Sequence, residues 1–484
     1  MPKASHDLRR SLSRSRPTPT SSLENEEDVE DYTPGGYLNV KIGDEFVSPN
    51  RSAPYVAVRK LGWGHFSTVW LVENADDGHF AAIKVSSSRY GETARDEIAL
   101  LMKVRKRAFK HPGARHVVSL LDYFSTRGRY KGDTHVCMVM EPLGETLLNF
   151  LDRYRGRYGG QGELAGVPMN IVRVIARQIL MGLQYLHDEC GLVHTDIKPE
   201  NILLGLPNTQ GYIRAEISAS PPRPGRRVAI PGHRANRGDI IPRKSYVEIY
   251  PSQPIPSPPL PTELETGGWN GSPHTFDSSS HSSSRSRSRG SRHGRHGYLP
   301  ICVQISDLGN ATPVDQHFTE DIQTRQYRSP EAIIRRNDWG FPVDIWSVAC
   351  LLFELSTGDH LFDPRGKSGL WGKDDDHMAQ IMELCGDFDL SLKMGGKFSR
   401  DVFTSRGTLR HIRHIKPMSL SHVLAENYNY HSHSAKQFVS FLSPMLRVDP
   451  DMRATAAEML SHEWLDSRDA ILPPRIQQPY EWTA

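Results

Sequence analysis

Hydrophobic and polar positions fall into stretches of different rhythm along the chain. Residues 1–34 carry almost nothing to bury: a basic Ser/Arg stretch, RRSLSRSR, gives way to Pro and Thr and then to acidic residues between Glu24 and Asp31. That composition predicts a disordered tail. From Tyr55 to Met140, short β-rich segments broken by Gly and charge surround one helical stretch, ARDEIALLMKVRKRAF, and predict a small sheet with one helix. After Leu147 apolar residues recur at helical spacing, most clearly in IVRVIARQILMGLQYLH. They do so again after residue 344 in DIWSVACLLFELSTG, HMAQIMELCG, AKQFVSFLSPML and ATAAEMLSHEWL. A mostly helical lobe follows the sheet.

Helical character is interrupted at residues 205–299, which hold 13 Pro and 13 Lys plus Arg against 6 Asp plus Glu, and run through DSSSHSSSRSRSRGSRHGRHG. This composition predicts a disordered insert, looped out of one domain because the helical pattern continues on both sides of it. Residues 468–484 read as a C-terminal tail. Overall, 484 residues with 59 Lys plus Arg against 56 Asp plus Glu give a net charge of only +3, which excludes a global polyelectrolyte. No run approaches the roughly 18 to 20 apolar residues of a membrane helix, and the N-terminus lacks the apolar core of a signal peptide. A soluble intracellular protein without membrane contact is expected. The five cysteines form no CxxC pair and have no metal-ligand spacing to histidine, so they read as reduced, mostly buried thiols.

Candidate chemistry begins at LGWGHFSTVWL. One reading is a tight hairpin turn. The other is a glycine-rich loop, Leu61, Gly62, Trp63, Gly64, His65, Phe66, Ser67, Thr68 and Val69, whose backbone N–H groups close over nucleotide phosphates. The G-x-x-x-x-G-K-[ST] pattern of P-loop ATPases is absent. In AAIKV, Lys84 stands in a strand-like apolar run, where an ammonium is costly unless it meets an anion. Glu97, thirteen residues on, is a suitable partner, either in a phosphate-handling pair or in an ordinary surface salt bridge.

HTDIKPENILL crowds Asp196, Lys198, Glu200 and Asn201 between apolar runs. Asp196 suits the orientation of a substrate hydroxyl, Lys198 the neutralisation of a γ-phosphate, and Asn201 the supply of a hard oxygen to magnesium. After the insert, ISDLGNA ends a strand-like run in Asp307, a second candidate ligand. TRQYRSPE then leads to DIWSVAC, where Asp344 opens a helix.

Taken in order, the Gly-rich loop, strand Lys, catalytic-loop Asp and Asn, D-L-G and S-P-E resemble the signature set of the eukaryotic protein kinases over residues 55–467. The resemblance implies an α+β, bilobal fold. Its β-rich N-lobe would be residues 55–142 and its helical C-lobe 143–204 and 300–467, with the insert in the C-lobe. It also implies ATP and Mg2+ as cofactors, catalytic Asp196 and Lys198, Asn201 and Asp307 as metal ligands, and adenine at a hinge between Glu141 and Leu143 behind Met140. Arg453 would pair with Glu331, and Asp344 would support the catalytic loop.

Departures narrow the family: Ser67 replaces the third glycine, Thr195 the Arg of H-R-D, Leu308 the Phe of D-F-G and Ser329 the Ala of A-P-E. Together with the split by a long spacer they resemble the SR-protein-specific kinases, as a divergent member of fungal type. The implied substrates are serines in Arg-Ser-rich proteins, and the implied role is regulation of splicing factors or mRNA processing in cytoplasm and nucleus. Thr195 implies an active state that needs no phosphate on the activation segment. A monomer without direct nucleic-acid contact is expected, since no RNA-recognition motif or zinc spacing occurs. Alternatives are a LAMMER-type kinase, whose naming motif is absent, and a pseudokinase scaffold, against which the full residue set speaks.

A cationic Arg-Ser substrate needs a local acidic patch. Asp374, Asp375 and Asp376 open one helical stretch and Glu383 lies on the same face, and a solvated helix start is the plain alternative. In the SR-protein kinases a matching segment forms a docking groove. Met418 and Asn427, where that family usually has Trp and Lys, imply altered docking. The chain's own SRSRSR tract, residues 284–289, and residues 13–16 look like substrate. Autophosphorylation, pseudosubstrate occupancy and a plain basic spacer all fit them.

Overall fold

Alternating burial and β-branched or aromatic content build a sheet early in the chain. Glu45–Phe46 (β1), Tyr55–Gly64 (β2), Ser67–Asn74 (β3), Phe80–Ser86 (β4), Leu120–Arg127 (β5) and Thr134–Met140 (β6) form one six-stranded sheet in the order β1-β2-β3-β4-β6-β5. The structure, a computed structural model, describes residues 26–107, 111–158, 166–230, 246–258 and 301–466. The chain divides into two compact units: residues up to 94, 122–139 and 217–254 form the first, and 95–121, 140–216 and 255 onward the second.

Within the first unit, β2, β3 and β4 are antiparallel neighbours in a register that sets Gly62 opposite Val69 and Val69 opposite Lys84. Trp70, Leu71, Val72, Ile83 and Val85 are buried on this sheet. Two predictions of disorder fail here. Residues 26–34, expected in a disordered tail, are ordered around a 3-10 turn, Val29–Tyr32, that Asp28 caps by accepting from Glu30 N. Parts of the insert fold as well: a helix, Thr209–Ala219, precedes Arg226–Ala229 (β9), which pairs antiparallel with Tyr246–Ile249 (β10). Tyr32, Tyr37, Ile230, Val247 and Ile249 share one buried cluster. The apolar residues that make it possible are sparse in each segment but complementary once three distant segments meet.

One ion cluster fastens the same region. Lys60 donates to Glu26 at 2.8 Å, to Glu27, and to the Tyr250 carbonyl at 3.2 Å, while Gln253 N donates to Lys60 O at 2.9 Å. The side chains of Lys60 and Glu27 are fully buried. Tyr32 also donates to Glu27, and burial together with that carboxylate raises its phenol well above the usual tyrosine range.

The second unit is mainly helical. Met169–Gln184 buries Ile171, Val172, Ile175, Ala176, Ile179, Leu180 and Leu183, one apolar stripe at helical spacing. Pro342–Thr357 is buried from Val343 to Thr357 and serves as the unit's central helix. Short antiparallel ladders hold the loops: Leu192–Val193 (β7) with Thr312–Pro313 (β12), and Ile202–Leu204 (β8) with Val303–Ile305 (β11). The predicted helix around ARDEIALLMKVRKR runs Gly91–Arg107. All five cysteines are free, with Cys137, Cys190 and Cys350 buried. Among the described residues no helix is long and apolar enough to cross a membrane. The Ser-Arg tracts at 13–16 and 284–289 and the tail 468–484 lie outside the described residues.

Candidate active site

The glycine-rich segment is the hairpin tip joining β2 and β3, with Gly64 opposite Ser67 and His65 and Phe66 in the turn. A Cβ added at Gly62 or Gly64 would meet no protein atom within 4 Å. Protein packing therefore does not demand glycine there, and the bare backbone leaves room for a ligand to approach its N–H groups. The tip is anchored from three sides: Tyr37 Oη donates to Gly64 O at 2.7 Å, Ser87 N donates to Phe66 O at 2.8 Å, and Phe66 meets Tyr90 edge-on at 4.6 Å. Leu61, Trp63, Thr68 and Val69 line the same two strands. Lys84 is half-buried in mid-strand, level with Gly62 across the sheet.

In the second unit, the segment 194–201 is held by backbone and side-chain bonds made largely by residues of other elements. Asp344, at the start of the central helix and fully buried, accepts from His194 N at 2.8 Å, Thr195 N at 2.9 Å and His187 Nε2 at 2.9 Å. Thr195 adopts a left-handed conformation, φ 66°, and its hydroxyl donates to Asn310 O at 2.8 Å. This threonine reaches directly to the backbone after D-L-G. His194 Nε2 lies 3.0 Å from Ser306 O, and Ser306 N donates to Asn201 O at 2.8 Å.

These bonds converge on Asp196. Its Oδ2 accepts from Lys198 Nζ at 2.7 Å and from Asn201 Nδ2 at 3.1 Å; its Oδ1 accepts from Thr324 Oγ1 at 2.7 Å and Thr324 N at 3.2 Å. Lys198 also donates to Thr324 Oγ1 at 3.0 Å. Asn201 spends its amide N–H groups on Asp196, so its oxygen is the atom turned to other use. Asp307, φ 60°, sits in a conformation that costs about 1–3 kcal/mol for a residue other than glycine. A Cβ at the adjacent Gly309 would lie 3.5 Å from Glu97 Oε2, which places the buried Glu97 carboxylate beside the D-L-G turn. Among the described residues no group of three or more His, Cys, Asp or Glu could hold a metal alone. An amide oxygen and one carboxylate suit a hard cation that takes its remaining ligands from phosphates. On the hinge, Glu141 is half-buried and Leu143 buried, and Gly144 N donates to Leu204 O at 2.7 Å.

Two residues escaped the sequence reading although they stand in or beside quoted motifs. Thr324 heads TRQYRSPE, and its hydroxyl touches both Asp196 and Lys198. Gln323, φ 67° and buried, accepts from Ser329 N at 2.9 Å and donates to Val343 O at 2.8 Å and Ser347 Oγ at 2.9 Å. Its side chain thereby pins the segment to the central helix. Arg328 donates twice to Gln323 O, and Arg453 pairs with Glu331 at 2.6 and 3.0 Å in full burial.

The acidic helix, Lys373–Cys385, divides its carboxylates unevenly. Asp375 is buried and accepts from Gly372 N at 2.8 Å; Asp376 is buried and accepts from Arg365 N at 2.7 Å and Gln380 Nε2 at 2.9 Å. Both bond the helix start and its preceding loop through Oδ2. Asp374 remains half-exposed and pairs with Arg325. Glu383 accepts from Lys416 N at 2.8 Å, and its carbonyl from Met418 N at 2.9 Å. His377, between them, is fully buried, and burial with Arg325 and Arg328 nearby lowers its pKa to about 3, so it is neutral.

Comparison with known proteins agrees with this geometry. The protein kinase domain family matches residues 55–214 and 293–465. The chain is 40% identical to protein kinase dsk1 of Schizosaccharomyces pombe over 91% of this chain and 85% of that one. It is 37% identical to human SRSF protein kinase 3, covering 92% and 91%, and 32% identical to the serine/threonine-protein kinase SKY1 of Saccharomyces cerevisiae, covering 94% and 79%. A crystal structure of a kinase domain superposes with TM-score 0.56 at 22% identity, over 89% of this chain and 98% of that one, a likeness of fold.

Proposed function

Since the chain belongs to the protein kinase family and, within it, to the SR-protein kinases, it is a serine/threonine protein kinase using ATP and a divalent metal, and we propose that it phosphorylates serines in Arg-Ser-rich proteins with magnesium as the metal. The observation that carries the reading is the convergence of Lys198, Asn201 and Thr324 on Asp196.

Asp196 holds the acceptor serine hydroxyl and takes its proton as the oxygen attacks phosphorus. Thr324, already on Oδ1, yields to the incoming hydroxyl. Lys198 and Lys84 meet the phosphate charge, the backbone N–H groups of residues 62–67 cover the phosphates, and the hinge from Glu141 to Leu143 receives adenine. ATP would supply the γ-phosphoryl group and leave as ADP as its β–γ bridging P–O bond breaks. Asn201 and Asp307 would hold magnesium, which would supply screening of the phosphate charge. Gln323 and Thr195 support a state that is active without activation-segment phosphate. Asp374, Asp375, Asp376 and Glu383 make the acidic contribution to substrate docking. We also propose a monomer, without direct nucleic-acid contact, acting in cytoplasm and nucleus on splicing or mRNA-processing factors.

The test is phosphate transfer from Mg-ATP to an Arg-Ser repeat peptide, beside Lys-Ser and Ser-Pro peptides. Transfer to the Arg-Ser peptide alone is expected, with Asp196→Asn lowering kcat by about 10³-fold. Equal transfer to all three peptides overturns the specificity, and no loss in the variant overturns the role of Asp196.

A further inference from the structure

Beyond the acidic helix the chain reverses its charge. Residues 397–416 carry Lys397, Arg400, Arg406, Arg410, Arg413 and Lys416 against one acid, Asp401, a net +5 from six minus one, in a chain whose total is +3. All six cations are exposed. No ion pair to an acidic side chain is recorded for Lys397, Arg400, Arg406, Arg410 or Arg413 among the described residues, in a unit whose other arginines mostly have one.

These charges are fixed in place. Residues 402–410 form a hairpin: Phe403 bridges Leu409, Thr404 N donates to Thr408 O at 2.8 Å, and Arg410 N donates to Val402 O at 2.8 Å. Val402, Phe403, Leu409 and Ile412 are buried and root it. Lys393 donates to Gly407 O at 2.9 Å from beneath the turn, and Glu383 holds the far end through Lys416 N. Arg410 reaches back to donate to Arg400 O at 2.9 Å and Phe403 O at 3.1 Å, which draws its guanidinium onto the Arg400 backbone. Arg406 occupies the hairpin tip. A rigid group of guanidinium ions left unneutralised is a costly surface unless an anion visits it, and guanidinium forks match phosphate oxygens in pairs.

The reaction itself makes such an anion. An unmodified Arg-Ser tract is cationic and is repelled here, but each phosphate adds about −1.5 to −2 charges at pH 7 and turns the tract anionic. We propose that the strip of Arg400, Arg406, Arg410 and Arg413 docks the phosphorylated stretch of an Arg-Ser substrate. This rests on the Arg-Ser specificity proposed above. The acidic helix then faces unmodified substrate, and the strip faces product.

A chemically synthesised, fully phosphorylated Arg-Ser repeat peptide and its unmodified twin are titrated against the full-length protein by fluorescence anisotropy, at low and physiological salt. The double reversal Arg406→Glu/Arg413→Glu is compared with wild type and with Lys131→Glu, outside the strip, as a control of charge. Neither Arg406 nor Arg413 has a side-chain hydrogen bond recorded, so the fold should tolerate both changes. The expected result is about tenfold weaker binding of the phosphopeptide in the double variant. Steady-state phosphorylation of the unmodified peptide should stay within about twofold. Undiminished phosphopeptide binding, or equal loss for both peptides, overturns the proposal. A single-stranded RNA of equal charge that binds more tightly than the phosphopeptide and is lost in the same variant overturns it in favour of nucleic acid. Because the phosphopeptide is synthetic, failure to phosphorylate Arg-Ser peptide would sink the specificity while leaving this binding readable.

Discussion

The catalytic loop in the second unit and the layer of residues 26–40, 217–230 and 246–254 in the first solve opposite problems. Around Asp196 the bonds to Lys198 and Asn201 are made within one short motif, and the long-range ones come from four residues, Asp344, Thr324, Ser306 and Asn310. Around Lys60 nearly every contact joins segments more than 30 residues apart: Glu26, Glu27 and Tyr250 meet one ammonium across separations of 34, 33 and 190 residues. The first arrangement orients atoms for chemistry; the second holds the sheet that carries the glycine-rich loop. The comparison predicts that damage to one should appear in turnover and damage to the other in stability.

The largest effect is expected at Asp344. Its two carboxylate oxygens accept three donors in complete burial, and Asp344→Asn turns an N–H group toward one or more of them. A buried hydrogen-bonded carboxylate lost in this way costs about 3–5 kcal/mol. The displaced catalytic loop should lower kcat by about 10²-fold with a smaller change in peptide KM. Thermal unfolding and steady-state kinetics on the same sample check it. A normal kcat with a lowered Tm would make Asp344 a structural residue alone.

Lys60→Met comes next. It leaves Glu26 and Glu27 facing each other in burial, at a cost of about 3 kcal/mol offset in part by the methionine's own packing. The expected signature is a lower Tm and faster proteolysis within residues 26–34, with kcat within about twofold because the bonds that orient Asp196 come from Lys198, Asn201 and Thr324. Unchanged proteolysis would mean that the aromatic cluster of Tyr32, Tyr37, Ile230, Val247 and Ile249 holds the segment without the ion group.

That contrast also explains what could be read from the sequence. The catalytic set was legible because its chemistry concentrates polar residues at short spacing: Asp196, Lys198 and Asn201 occupy six positions, and their mutual bonds follow from that spacing. The kinase order and the lobe pattern followed from motif sequence and periodicity. Thr324 and Gln323 were hidden because their partners lie more than a hundred residues away or in another helix, and nothing local marks a threonine for that use. The ordered layer was misread as tail and insert for the same reason. Its segments are polar and Pro-rich by composition, and their few apolar residues become a core only when three of them pack together. Asp375 and Asp376 carry a different ambiguity: a run of acids before a helix fits both docking and a structural role, and spacing alone does not reveal that Asp375 bonds Gly372 N while Asp376 bonds Arg365 N and Gln380.

The smallest predicted effect tests where the two regions' roles meet in function. Tyr37 is buried, and burial with Asp31 and Glu27 nearby pushes its phenol to about 12, so it stays protonated and donates to Gly64 O at 2.7 Å. Tyr37→Phe removes that hydroxyl and leaves the ring in the aromatic cluster. The carbonyl loses one partner worth about 1 kcal/mol. If the bond only supports the fold, Tm falls slightly and kinetics do not change. If it sets the shape of the glycine-rich tip, the same 1 kcal/mol appears as a rise of about fivefold in KM for ATP, with peptide KM unchanged, because only the loop over the phosphates has moved. We expect the second outcome, since the hydroxyl bonds a glycine carbonyl in the very turn where the backbone must meet phosphate. An ATP KM equal to wild type, measured at saturating peptide, would confine the layer to stability and leave the comparison between the regions absolute.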